Sequence, residues 1–315
     1  MTESGLGASG AGRRPKVGLM AWNATASLEG DRDPGWGDIE EIVLRAEDVG
    51  FDSVWVPDEL HWRAEGQADL AFWEVWTLLA ALAATTSRVR LGTLVCCTNY
   101  RNPALLAKMA ATVDEISRGR LVLGLGAGWS KDQFEMFGYE ADHLFDRFEE
   151  SLEIILGLLR DGHVTFEGRY QRTRDAALLP AGPRPGGIPI LLGVEHSRGM
   201  RLAARHADTW NAFLPRRDLA VEVPRLCAEL DAACAAEDRD PATLARTVSL
   251  MALLEDVPFV VQGSDWTERA LRGSSDEIAA GLRSIAAMGI EEVQVGVVPY
   301  SLAGIERFGR VLEAL

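Results

Sequence analysis

Residues 46–58 read AEDVGFDSVWVPD, and this stretch carries the repeating unit of the fold. Ala46 closes a helical pattern that begins near Trp36, with Ile39, Ile42 and Val43 spaced to share one apolar face, and Gly50 supplies the stop. Ser53-Val-Trp-Val56 follows as an uninterrupted apolar run, the pattern of a strand covered on both faces. Upstream, Lys16-Val-Gly-Leu-Met20 reads as a first short strand, so a βαβ unit is complete by residue 56.

Working outward, the alternation does not break. Residues 71–85 read as an apolar helix and 89–95 as a strand; Asn102 and Pro103 then supply an N-cap and a first-turn proline for a helix that buries Leu106, Met109, Ala110, Val113 and Ile116. Residues 121–125 form a fourth strand, with a long helical stretch around 142–160 behind it. The Gly/Pro/Arg-rich segment 161–187 reads as loop. Strands at 188–192, 208–213 and 248–254 alternate with helices at 198–206 and 219–236, and a loop covers 258–272. Ser274 and Glu277 form a capping box for a helix carrying Ile278, Leu282 and Ile285, Gly289 ends it, and Val293, Val295 and Val297 make an eighth strand before a last helix. Eight strands, each followed by a helix, with no second core between them, point to an α/β fold of the closed (β/α)8 TIM-barrel type rather than a doubly wound sheet, with loop insertions at the mouth. The expected organisation is a disordered tail over 1–14 and one barrel domain over 15–315.

Bulk properties narrow the function classes. No apolar run approaches the roughly 20 residues of a membrane-spanning helix, and the first 14 residues lack the apolar core of a secretory signal, so a cytoplasmic protein with no membrane partner is expected. A net charge of −15 opposes the broad basic surface that nucleic-acid binding needs. Of the four cysteines, Cys96 and Cys97 are adjacent, and Cys227 and Cys234 share a helix; neither arrangement has metal-ligand spacing. The three lysines, Lys16, Lys108 and Lys131, are not placed for a Schiff base, and the H-x-H that a metal-dependent hydrolase barrel carries after its first strand is absent. No metal is expected, and an organic redox cofactor is.

In a parallel barrel the functional residues collect at the C-terminal ends of the strands. Those ends here hold Trp22, then Asp58, Glu59, His61 and Trp62, then Tyr100, then Gly126-Ala-Gly-Trp129, then Gly193-Val-Glu-His196, then Asn211. A mouth rich in aromatic residues and glycine suits a large planar ligand. The run Gly124-Leu-Gly-Ala-Gly128 does not have the G-x-G-x-x-G spacing of a dinucleotide fingerprint, which leaves either close helix–strand packing or a backbone nest for phosphate. His61 is either a proton donor or a structural loop histidine.

Residues 46–58, 78–93 (LLAALAATTSRVRLGT), 100–108 (YRNPALLAK) and 119–129 (GRLVLGLGAGW) together resemble the luciferase-like monooxygenase family and its branch dependent on the deazaflavin coenzyme F420. Phe137-Gly138, Arg147-Phe-Glu-Glu150, Ile188-Pro-Ile-Leu-Leu-Gly193 and 202–211 (LAARHADTWN) extend the similarity. The resemblance implies a flavin or deazaflavin ring across the mouth and a cis non-proline bond between Leu94 and Val95 behind it. It implies phosphate binding by the backbone of Gly126, Ala127, Gly128, Trp129, Gly193 and Val194, and contact of Asp58 with the ring system. Two departures bear on chemistry. Some deazaflavin enzymes of the family have histidine directly after the aspartate, where this chain has Glu59 and then His61. The FMN branch tends to carry an arginine on the phosphate loop near Ala127, and none lies between Arg120 and Arg147. A dianionic terminal phosphate is best held by such a cation, whereas the monoanionic diester of F420 needs it less.

The resulting expectation is an F420-dependent oxidoreductase that transfers a hydride to or from a small organic substrate, with His61 and Glu59 as catalytic acid candidates and Trp22, Trp62, Tyr100 and Asn211 shaping the substrate side. The alternatives are an FMN-dependent monooxygenase served by a separate flavin reductase, and a flavin-binding barrel without catalysis. The family suggests a homodimer through helices near the second and third strands, where the segment bearing Phe72, Trp73 and Trp76 is either buried or subunit-facing.

Overall fold

Eight parallel strands close on themselves: β1 (Lys16–Met20), β2 (Ser53–Val56), β3 (Arg90–Thr93), β4 (Leu121–Gly126), β5 (Ile190–Gly193), β6 (Thr209–Phe213), β7 (Ala245–Leu254) and β8 (Glu292–Val298) pair in chain order, and β8 returns to β1. Register places Leu19 opposite Val54, Val54 opposite Leu91, and Val17 opposite Val293. The computed structural model describes residues 14–25, 32–63, 69–214, 218–254 and 270–315. Residues 1–13 of the expected tail over 1–14, and residues 258–269 of the expected loop over 258–272, lie outside the described residues.

Helices α1 (Trp36–Val49), α2 (Val75–Thr85), α3 (Pro103–Ile116), α4 (Leu144–Leu156), α5 (Ser197–His206), α6 (Leu219–Ala236), α7 (Ser275–Ala287) and α8 (Leu302–Glu313) follow the strands in turn. The caps form as the sequence dictates. Asn102 accepts from the N–H groups of Ala104 and Leu105, and Ser274 and Glu277 cap each other's backbone. None of the described helices is long and apolar enough to cross a membrane.

The main core is aliphatic with Phe51, Phe148, Trp210 and Phe308 buried in it, and a separate cluster forms a plug in the barrel interior. Trp55 packs with Val122 and Leu191 at its centre. Gly92 is required by that plug, because a Cβ there would lie 2.4 Å from the Trp55 ring. Beside the plug runs a polar network in which Asn211 Nδ2 donates to Thr247 Oγ1 at 2.9 Å, Ser249 Oγ at 3.1 Å and Gln294 Oε1 at 3.0 Å.

Three local expectations change. Segment 161–187 is not all loop: strands His163–Glu167 and Arg172–Ala177 pair as an antiparallel hairpin. Its composition hides a period-two pattern in which Val164 and Phe166 turn inward. Glu150 of α4 organises the turn, accepting from the N–H groups of Arg169, Tyr170 and Gln171 at 2.8, 2.8 and 2.7 Å. Those backbone donors outweigh the opposing effect of burial and hold its carboxyl below the ordinary range, so its contribution is present at neutral pH and is lost as pH falls through the depressed midpoint. Glu150→Ala is expected to raise amide exchange across 164–176 about tenfold, with the barrel strands unchanged in a hydrogen-exchange map.

The second change concerns α2, which starts at Val75 rather than 71, because Glu74 takes the N-cap position and accepts from Thr77 N–H. Leu70 and Ala71 instead pair with Trp62 and His61 in a short hairpin. The third is a short helix over Lys131–Phe137, inserted between β4 and α4. The bond between Leu94 and Val95 is cis, as the resemblance implies.

Candidate active site at the barrel mouth

The end of β3 forms a floor for the mouth. Leu94 and Val95 pack on the Trp55 plug, and the Val95 side chain sits where a Cβ on either Gly126 or Gly193 would approach it to 2.8 or 2.9 Å. Gly124 passes under the Thr93 carbonyl oxygen, which a Cβ would meet at 2.0 Å, and Gly128, at φ 81°, turns against Cys97 and Phe134. Close packing therefore accounts for all three glycines of the run 124–128.

The loop after β4 is also oriented. Thr98 Oγ1 donates to the Gly126 carbonyl at 3.4 Å, and Asn99 Nδ2 donates to the Ala127 carbonyl at 2.8 Å. In a trans peptide the N–H points opposite to the C=O. The N–H groups of Ala127 and Gly128 are therefore directed away from Thr98 and Asn99. After β5, Gly193 and the buried Val194 lead into α5, whose N-cap His196 makes no side-chain cap and whose first turn holds no acid. Trp210 Nε1 donates to the Val194 carbonyl at 2.7 Å and fixes that turn.

Asp58 is held rather than open. Its carboxylate is 1% exposed and accepts from Arg101 through both guanidinium nitrogens, at 2.6 and 2.9 Å, and from Cys97 N–H at 3.0 Å. Arg101 reaches on to Glu74 at 2.8 Å, tying the start of α2 to the ends of β2 and β3. Burial works against the charge on Arg101, yet the Asp58 carboxylate carries the net shift upward.

Glu59 is the acid with the altered proton affinity. Trp129 Nε1 donates to its Oε1 at 2.9 Å, and Gln133 Nε2 donates to its Oε2. Burial raises its affinity for a proton; these two hydrogen bonds oppose the rise, and the neighbouring Asp58 charge adds to it, leaving the carboxyl above the ordinary range. His61, the other acid candidate, lies on the short hairpin with Nε2 3.0 Å from Asp69, which also binds Arg63. Glu59 and His61 thus point to different partners. Trp129 is 63% exposed at the rim, and Trp22 lies against Gly296. Trp62 is half-buried on the hairpin.

Tyr100 and Asn211 are buried, the first against Phe134 and Tyr139, the second in the interior network. Burial pushes the Cys96 and Cys97 thiols upward, so neither is a ready nucleophile. Among the described residues no group of three His, Cys, Asp or Glu is placed to hold a metal. Two residues of the site escape sequence reasoning, Arg101 and Gln133. The first is polar and sits at a strand end, but its partners are 27 and 43 residues away; the second lies on a helix too short to show a period.

The model of one family, the luciferase-like monooxygenases, matches residues 16–262. The chain belongs to that family. Among curated relatives, it is similar to an F420-dependent glucose-6-phosphate dehydrogenase of Amycolatopsis mediterranei, 36% identical over 60% of this chain and 55% of that protein. A 5,10-methylenetetrahydromethanopterin reductase of Archaeoglobus fulgidus is 35% identical over 56% of this chain and 49% of its own length. The chain thus spans about half the length of these relatives. In fold, this luciferase-like barrel matches an F420-dependent secondary alcohol dehydrogenase solved with an F420-acetone adduct, with a TM-score of 0.76 and 20% identity over 96% of this chain and 99% of the other.

Proposed function

We propose that this protein is an F420-dependent oxidoreductase acting on a small organic substrate. The loop after β4 carries the reading. Its carbonyls are engaged behind it, its N–H groups at Ala127 and Gly128 face the other way, and the guanidinium groups of neighbouring helices are committed elsewhere. Arg147 binds Asp142, and Arg198 binds Asp146 and Glu149. A cradle made of backbone suits a singly charged phosphodiester better than a terminal phosphate dianion. The relative from Amycolatopsis mediterranei, which is F420-dependent by name, supports the same cofactor class.

The residues present fit such a group. Leu94 and Val95 would lie behind the ring, Gly126, Ala127, Gly128, Trp129, Gly193 and Val194 would take the phosphate, and Asp58 with Arg101 would hold the floor in place. When bound, the deazaflavin supplies a carbon that gives or accepts a hydride. The chain's own part is to orient substrate between Trp22 and Trp62, with Tyr100 and Asn211 fixing the wall, and to hold a proton on Glu59. His61 with Asp69 is the second proton site at the rim.

Because burial keeps the Glu59 proton in place to higher pH than an ordinary carboxyl allows, a reaction drawing on that proton slows as pH rises through the raised midpoint. Glu59→Gln is expected to lower turnover about 10²–10⁴-fold and to flatten that limb, measured with F420 and a panel of secondary alcohols and activated alkenes. Unchanged turnover would remove Glu59 from the chemistry, and His61→Asn tests the alternative site in the same assay.

The family description favours a second reading, a monooxygenase; reduced FMN delivered by a separate reductase would serve it. A barrel that binds flavin without turnover is the third. We further propose one catalytic domain from residue 15 onward, a homodimer through α2 and α3, and a cytoplasmic location.

A further inference from the structure

We propose that Gln133 is a positioning residue for this reaction: its side-chain amide, locked in one orientation, presents Glu59 to the barrel mouth. The proposal rests on the function stated above, since Glu59 handles the proton there.

Gln133 is fully buried on the short helix 131–137. Its Oε1 accepts from Leu60 N–H at 2.8 Å, from the Tyr100 hydroxyl at 3.3 Å and, at the limit of 3.5 Å, from His61 N–H. A backbone N–H can only donate, and an amide nitrogen cannot accept. A flipped amide would leave the Leu60 N–H facing another donor in a buried place, so the main chain itself fixes which end of Gln133 points where. Nε2 is then the end that faces Glu59, and it donates one of its two hydrogens to Glu59 Oε2. With Trp129 Nε1 on Oε1, each oxygen of Glu59 has one fixed donor, and the plane of the carboxyl is set.

Charged and titratable groups among the described residues surround Glu59. Asp58 precedes it in the chain and its charge opposes ionisation of Glu59, but that carboxylate is bound by Arg101. Cys97 and Tyr100 feel the Glu59 charge and are held neutral, chiefly by burial. The His61 ring is engaged by Asp69. Gln133 is thus the member of this shell that reaches Glu59 and, at the same time, the backbone of the segment carrying it.

Two variants separate positioning from bulk structure. Gln133→Glu keeps an acceptor for Leu60 and Tyr100 but replaces the donor facing Glu59 with a second carboxyl oxygen, so the two acids compete for one proton. Gln133→Met keeps the length and removes the amide. The full chain, labelled with ¹³C at glutamate carboxyls, is titrated by NMR without cofactor, and the Glu59 signal is assigned by its loss in Glu59→Gln. The Glu59 midpoint is expected to rise by about one pH unit or more in Gln133→Glu and to rise in Gln133→Met, with the pH limb of turnover moving by the same amount. Folded variants whose Glu59 midpoint stays at the wild-type value would overturn the proposal, and if Gln133→Glu does not fold, Gln133→Met alone decides. A midpoint that moves while Glu59→Gln turns over at the wild-type rate would keep the hold of Gln133 on Glu59 and remove the functional reading instead.

Discussion

Arg101→Met is expected to lower stability by about 3–5 kcal/mol in a urea unfolding experiment. The guanidinium is 11% exposed and its partner Asp58 is 1% exposed, so removing the cation leaves a carboxylate without a counter-charge where water cannot replace it. The same cation holds Glu74, the N-cap of α2, so the loss extends to the start of that helix. A buried pair is worth much less than the penalty for breaking it, because its attraction is largely offset by the desolvation of both charges. The double substitution Asp58→Leu with Arg101→Met should therefore recover most of the loss. If the double variant is as unstable as Arg101→Met, the unpaired carboxylate is not the cause. Either variant should also weaken cofactor binding, since Cys97 N–H and the end of β3 are held through Asp58.

Gly124→Ala is expected to destabilise the barrel by about 3 kcal/mol or more, or to prevent folding. One added carbon would lie 2.0 Å from the Thr93 carbonyl oxygen and 3.1 Å from its carbon. These are backbone atoms of the neighbouring strand, so no side-chain rotation relieves the contact. Thr93 is itself tied to this strand by its hydroxyl, which donates to the Gly124 carbonyl at 2.6 Å. The segment directly after Thr93 is Leu94 and Val95, so the strain falls on the proposed cofactor floor. Gly37→Ala is the control: it lies in α1 with nothing within 4 Å of the added carbon, and should stabilise by about 0.5–1 kcal/mol. Equal effects of the two substitutions would show that close approach at Gly124 is not what the barrel requires.

The barrel is legible in the sequence because its signals are local. Ser53–Val56 and Leu121–Gly126 are buried throughout, and each is an unbroken run of apolar or small residues. Asn102 with Pro103, and Ser274 with Glu277, mark helix starts within four residues of chain. The hairpin at 163–177 is less legible because it sits in a wider segment, 161–187, rich in glycine, proline and arginine, while only alternate residues of its strands turn inward. Its turn depends on Glu150, on another element.

At the site, residue types and strand ends identify Asp58, Glu59 and the glycine loop, but not what each one faces. Asp58 reads as open to a ligand until Arg101 is seen to take both of its oxygens. The glycines 124, 126 and 128 read as either a phosphate nest or packing, and the packing is set by Thr93, Val95 and Cys97, whose positions no spacing reveals. Gln133 carries no periodic signal, and its importance comes from joining Glu59, Leu60 and Tyr100 in space.

The most direct test of the central claim is an equilibrium titration of the purified protein with F420 and, separately, with FMN, under anaerobic conditions and followed by fluorescence. A backbone cradle after β4 and β5 should bind F420 about 100-fold or more tighter than FMN. Tight binding of FMN with none of F420 would contradict the assignment.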